Sequence, residues 1–187
     1  MEWQGNKERN TGMTTFTSLL QTLERGGVSR TRRNHALEHA TLRVLAERNP
    51  QIALAGYSDP RGIWILGQVD TEELAAAVQE ARSRLNSGEH DLAIHPHCGT
   101  NYATSGILAG LAAWLVMLGT GNGLRKKLDR LPTVISVVTL ALIFSGPLGP
   151  KVQKNITTKA KLGSLHVTEI IISERNGMPV HRIRTSD

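Results

Sequence analysis

The sequence predicts an α+β fold: a small mixed sheet with two helices, interrupted by a two-helix transmembrane hairpin. Three observations carry this expectation. Charge is segregated, with no Asp, Glu, Lys or Arg from Cys98 to Leu124 or from Leu131 to Pro150. The residues before those runs alternate between helical and strand periodicity. After them come two strand-like segments joined by Asn176-Gly177, a two-residue hairpin signal. Averages over the 187 residues hide this segregation. A net charge of +6, 40 % hydrophobic residues and a mean hydropathy of −0.20 describe one ordinary basic soluble domain. The length excludes a large multidomain enzyme. The single cysteine, Cys98, excludes an internal disulfide and any CxxC zinc knuckle.

The chain divides into an N-terminal basic and amphipathic segment (1–33), an α-β-β-α-β domain (34–101), the apolar hairpin (102–149) and a C-terminal β-hairpin completing the sheet (150–187). In the first segment, Phe16, Leu19, Leu20 and Leu23 fall on one face of a short helix over Thr15–Leu23. The cluster Arg30-Thr-Arg-Arg33 is placed to touch phospholipid head groups. Nucleic acid is not expected as a partner, because no aromatic stacking platform accompanies the charge. The next helix starts at Asn34, a good N-cap residue, and closes before Pro50, with Leu37, Thr41, Val44 and Leu45 inward. A hairpin follows: Ile52–Tyr57, the turn Ser58–Gly62, then Ile63–Val69. Asp70 or Thr71 caps a second helix over Thr71–Leu85, with Leu74, Val78, Ala81 and Leu85 on one face. Its acids come first and Arg82 and Arg84 last, matching the helix dipole. A short strand over Asp91–Ile94 leads into the first apolar run. Beyond the hairpin, Leu165–Ser173 and Met178–Arg184 form the closing strands.

A spanning helix needs about 20 mainly apolar residues, and both uncharged runs approach this. Pro132 and Pro147 suit the ends of the second span. The loop Thr120–Arg130 carries Arg125, Lys126, Lys127 and Arg130 against one acid, Asp129. Gly106 and Gly110 form a GxxxG pair, which packs the hairpin or joins two copies into a homo-oligomer. Basic residues flank both runs, so the positive-inside rule does not choose an orientation. Most of them lie in the polar regions, and no stretch resembles a cleaved signal peptide. The expectation is an integral protein of a bacterial inner membrane, embedded in the lipid bilayer, with its polar regions in the cytoplasm.

The histidines carry the specific chemistry. His35-Ala-Leu-Glu-His39 is an HxxEH sequence, and on a helix positions i and i+4 share one face. His35 and His39 can therefore point at one Zn²⁺, with Glu38 beside them as general base. A second cluster, His95-Pro-His-Cys98-Gly-Thr-Asn101, offers His95, His97 and Cys98 as further ligands. In an extended chain His95 and His97 face the same way, and Cys98 faces away unless the chain turns there. Three protein ligands plus water make a catalytic site; a closed shell of three His and Cys98 is inert. His90, His166 and His181 read as surface or hairpin residues.

The HxxEH sequence is similar to that of the inverted-motif zinc peptidases. Those enzymes take a third ligand from a distant Glu, whereas here no Glu occurs between Glu89 and Glu169. A broader resemblance rests on Asn34-His-Ala-Leu-Glu-His-Ala-Thr41, the His95–Asn101 loop and the apolar hairpin ending in Gly146-Pro-Leu-Gly149. Together these resemble an uncharacterised family of bacterial membrane proteins found in cyanobacteria and Chloroflexi-like bacteria. The resemblance covers residues 33–184 and implies a membrane protein in which both histidine motifs belong together. Two functions follow as expectations. One is a membrane-anchored zinc hydrolase of peptidase type, acting on a membrane-protein or peptide substrate or a lipid. The alternative is a non-catalytic accessory or scaffold subunit with a structural metal or none. Haem ranks last, since no CxxCH attachment sequence exists.

Overall fold

The computed structural model describes residue 18 and residues 21–187. The expected helix over Thr15–Leu23 lies largely outside these. The chain forms two compact units: one runs to Ala93 and resumes over Thr158–Asp187, and the other is Ile94–Thr157.

The first unit is α+β. It contains α1 (Gly26–Arg48), β1 (Ala55–Asp59), β2 (Gly62–Leu66), α2 (Thr71–Asn86), a 3₁₀ turn (His90–Ala93), β3 (His166–Arg175) and β4 (Met178–Ser186). The four strands form one sheet in the order β1-β2-β4-β3, so the strands after the insertion complete the sheet begun before it. The expected mixed sheet is instead wholly antiparallel. Both sequential pairs are hairpins with two-residue turns, and β4 enters antiparallel beside β2. No parallel crossover is needed. Asn176 and Gly177 adopt the positive φ values of 54° and 76° that such a turn requires.

One face of the sheet carries the helices. Leu37, Leu45, Ile63, Ile65, Leu74, Leu85 and Ile183 are fully buried or within 1 % of it. Each contributes about 1.5–3 kcal/mol through the area it removes from water. On the opposite face Arg182 lies 4.6 Å from the Trp64 ring and pairs with Asp59 at 2.8 Å. The Asp70 carboxylate caps α2, accepting from the amides of Glu72 and Glu73 at 2.8 and 3.2 Å. That cap and the buried face of α2 match the sequence expectation.

Two expected elements differ. Helix α1 begins at Gly26, not Asn34. Asn34 is buried in mid-helix, donating to the Asp59 carbonyl and accepting from the Thr185 hydroxyl, both at 2.8 Å. The preceding turns were not legible because their buried residues are polar: Ser29 and Arg32. Arg32 donates to the Leu23 and Thr158 carbonyls and pairs with Glu24; Arg33 donates to the Leu162 carbonyl and pairs with Asp187. The basic cluster is thus tied inside this unit. The expected strand at Asp91–Ile94 is a 3₁₀ turn through Ala93, whose Leu92 and Ala93 are buried in the core.

The second unit is helical. It contains α3 (Gly99–Met117), α4 (Leu124–Ser145), the short α5 (Leu148–Val152) and a π turn (Gln153–Thr157). Helices α3 and α4 pack on each other, and the Ser105 and Ser145 hydroxyls meet at 2.7 Å. Among the described residues only α4 is long and apolar enough to cross a membrane. Helix α3 falls short because Thr100, Asn101, Tyr102, Thr104 and Ser105 occupy its first turns. Helix α4 starts before the expected span, so Arg125–Arg130 is helical and Pro132 lies inside the helix. Large apolar side chains face outward along both helices, among them Ile107, Trp114, Ile135 and Phe144, each at least 59 % exposed. Gly106 and Gly110 do not pack the pair: a Cβ at either would meet nothing within 4 Å.

Candidate metal centre

In the first unit the HxxEH residues sit in the middle of α1, with Glu38 and His39 buried and His35 half-buried. The one-turn separation stacks His35 and His39, with ring centroids 4.3 Å apart and planes crossing at 64°. His39 is 2 % exposed, and its Nδ1 lies 2.7 Å from the Ala93 carbonyl oxygen. A carbonyl can only accept, so Nδ1 carries the proton. In the neutral ring the lone pair is then on Nε2. Metal-ligating histidines are commonly held this way, with one ring nitrogen donating to a carbonyl and the other facing the ion. The two imidazoles of this helix face are thus of a type and spacing that can serve as metal ligands.

Glu38 runs beneath β1 and is 4 % exposed. A hydrogen bond with Ser58 and the positive charge of His35 favour its ionised form, but burial outweighs both and pushes its pKa up to about 7. Its place depends on Gly56. A Cβ there would overlap the Glu38 carboxyl, so only glycine lets the strand pass this close. Gly56→Ala is expected to keep the fold and turn the Glu38 side chain out of its pocket. Loss of the raised Glu38 pKa, read by carboxyl-carbon NMR titration, is the check; an unchanged value would show that the strand yields instead.

In the second unit the 95–101 segment is a turn, not an extended strand. The Cys98 amide donates to the His95 carbonyl at 3.3 Å, which removes the simple alternation expected for His95, His97 and Cys98. The rings of His95 and His97 lie 5.9 Å apart. The His97 amide donates to Nδ1 of His95 at 3.3 Å. Cys98 is 6 % exposed and caps α3, its sulfur accepting from the Thr100 amide at 3.4 Å. Gln153 fixes this turn from below. Fully buried, it accepts from the His95 amide at 3.0 Å and donates to the His95 carbonyl at 3.0 Å and to Asn101 Oδ1 at 2.6 Å. Asn101 donates in turn to the Pro96 carbonyl at 2.7 Å.

The structure thus gathers His35, Glu38 and His39 in one unit, and His95, His97 and Cys98 on one turn in the other. Sequence reading missed four supporting residues. Gly56 was signalled only by being a glycine inside a strand, and Ser58 was assigned to the turn. Ala93 and Gln153 act through a backbone carbonyl and an uncharged amide, and neither leaves a mark in sequence pattern.

The domain of unknown function DUF6391 matches residues 30–170, a span that holds both histidine clusters. The chain belongs to that family. An uncharacterised protein of Picosynechococcus sp. (strain ATCC 27264 / PCC 7002 / PR-6) is 36 % identical over 167 residues, covering 82 % of this chain and 78 % of its own length. No solved structure matches.

Proposed function

We propose that this member of the family is a membrane-anchored zinc protein and a zinc-dependent hydrolase of peptidase type, working at the membrane surface. The observation that carries the reading is the His35–His39 pair on α1, with His39 oriented by the Ala93 carbonyl at 2.7 Å. Those two histidines hold the ion. The His95–Cys98 turn is the source of the further protein ligand. The sequence offers His95, His97 and Cys98 for that role, imidazole nitrogen and thiolate sulfur being donors that zinc prefers.

A zinc ion bound there would supply Lewis acidity at the scissile carbonyl. Glu38 takes the proton from the attacking water and returns it to the leaving group. Helix α4, with α3 beside it, anchors the chain in the bilayer of a bacterial inner membrane. The polar unit is cytoplasmic. The open Gly106/Gly110 face is where a second copy would pack. A membrane-embedded protein segment or peptide is the substrate this location suits.

A second reading rests on one observation. Glu38 is almost wholly covered by β1, which suits a carboxylate that orients His35 in a structural, non-catalytic centre of an accessory subunit.

Elemental analysis of detergent-purified protein tests the metal. Wild type is expected to carry one zinc per chain and His35→Ala none. A wild type without metal would remove both zinc readings.

A further inference from the structure

We infer that the loop end of the helical pair is a binding surface for anionic phospholipid head groups. This rests on the membrane reading above and goes beyond it by assigning a lipid class to a specific surface. The first turns of α4 are amphipathic. Leu124, Leu128 and Leu131 lie at i, i+4 and i+7, and are 73, 52 and 45 % exposed. Between them stand Arg125, Lys126, Lys127 and Arg130, all exposed, with Asp129 as the only acid.

Many cations of the other unit are neutralised within it. Arg30, Arg32, Arg33, Arg48, Arg84 and Arg182 each pair with a carboxylate of the chain. Among the described residues none of the four at the loop end does. Like charges one turn apart repel, so four within a turn and a half favour an external anion. The stem of a Lys or Arg can lie along apolar surface while its head stays in water, which suits a side chain at a bilayer boundary. Trp114 stands one turn before the end of α3, 59 % exposed, where an amphipathic ring marks a membrane–water interface. Leucines facing acyl chains, a tryptophan at the boundary and cations facing water point to phosphate-bearing anionic lipid as the occupant. Each basic residue near such a surface adds attraction that falls within a Debye length.

The test uses full-length protein reconstituted in vesicles of phosphatidylcholine with about 30 mol % phosphatidylglycerol. Trp114 emission, isolated as the difference between wild type and Trp114→Phe, is quenched with brominated phosphatidylglycerol or brominated phosphatidylcholine. Wild type is expected to prefer the anionic lipid at least about threefold, less at high salt. The fourfold variant Arg125→Gln, Lys126→Gln, Lys127→Gln, Arg130→Gln should lose the preference yet still float with vesicles. Lys151→Gln with Lys154→Gln should keep it. Equal quenching by both lipids in wild type, or an unaltered preference in the fourfold variant, overturns the assignment and leaves membrane insertion standing. Failure of wild type to float with vesicles of either composition overturns both.

Discussion

On the proposed hydrolase reading, Glu38→Gln is expected to cut hydrolysis sharply while the protein keeps its zinc. The amide has nearly the shape of the carboxyl and can keep a hydrogen bond to Ser58, but it cannot take a proton from water. General-base catalysis contributes about 10²–10⁴-fold, and a loss of that size is expected in kcat at unchanged metal content. Turnover of fluorogenic peptides by reconstituted protein is the measurement. Undiminished turnover would exclude Glu38 as the base. Zinc without any turnover in the wild type would favour the structural centre. The same substitution changes stability in the opposite sense. Burial pushes the Glu38 pKa from 4.5 up to about 7 in the folded chain. Between those values the folded state holds the proton and the unfolded state has lost it. The contribution of Glu38 to stability therefore falls as pH rises from about 4.5 to 7, and the full penalty persists above. A shift of that size corresponds to on the order of 3 kcal/mol. Zinc-stripped Glu38→Gln should thus be more stable than stripped wild type at pH 8 and nearly equal to it near pH 5, by denaturant unfolding.

What could be read in advance follows from how local each signal is. The Asp70 cap, the Asn176-Gly177 turn and the shared face of His35 and His39 depend on residues within one or two turns, and all three stand. The start of α1 depends on distant partners. Asn34 looks like a cap because its side chain satisfies backbone groups. In the fold it does satisfy one, the carbonyl of Asp59, far along the chain. The charge-free run before Leu124 read as a full span, yet its first third is polar and its helix alone does not meet the length and apolarity of α4. Absence of charge is a weaker signal than presence of apolar area. The site shows the same division. Its titratable residues announced themselves by type and spacing. The groups that aim them did not, because a carbonyl, a missing Cβ and a buried amide act through contacts only the fold creates.

Gly62→Ala separates the two halves of the first unit's sheet. Strand β2 precedes the helical insertion and β4 follows it, so their pairing is the seam that closes the unit. Gly62 begins that seam opposite Arg184, with φ at 143°, a conformation L side chains avoid. A Cβ there would overlap the Ile183 carbonyl oxygen, a backbone atom locked in the ladder and unable to swing aside as a long side chain could. Backbone strain of about 1–3 kcal/mol adds to an overpacking cost of about 1–3 kcal/mol, for an expected loss of about 2–6 kcal/mol. Gly88→Ala is the control. It also has positive φ, 104°, but its Cβ would meet open space, so it carries the strain alone. A clearly larger fall in the unfolding midpoint for Gly62→Ala than for Gly88→Ala is expected. Equal falls would show that the seam tolerates the methyl group. The consequence reaches the proposed metal centre, because β1 packs on α1, which carries His35 and His39, and is itself held only through β2 in the sheet. Loosening the seam should therefore lower zinc occupancy in Gly62→Ala although no ligand has been changed, while Gly88→Ala keeps its zinc.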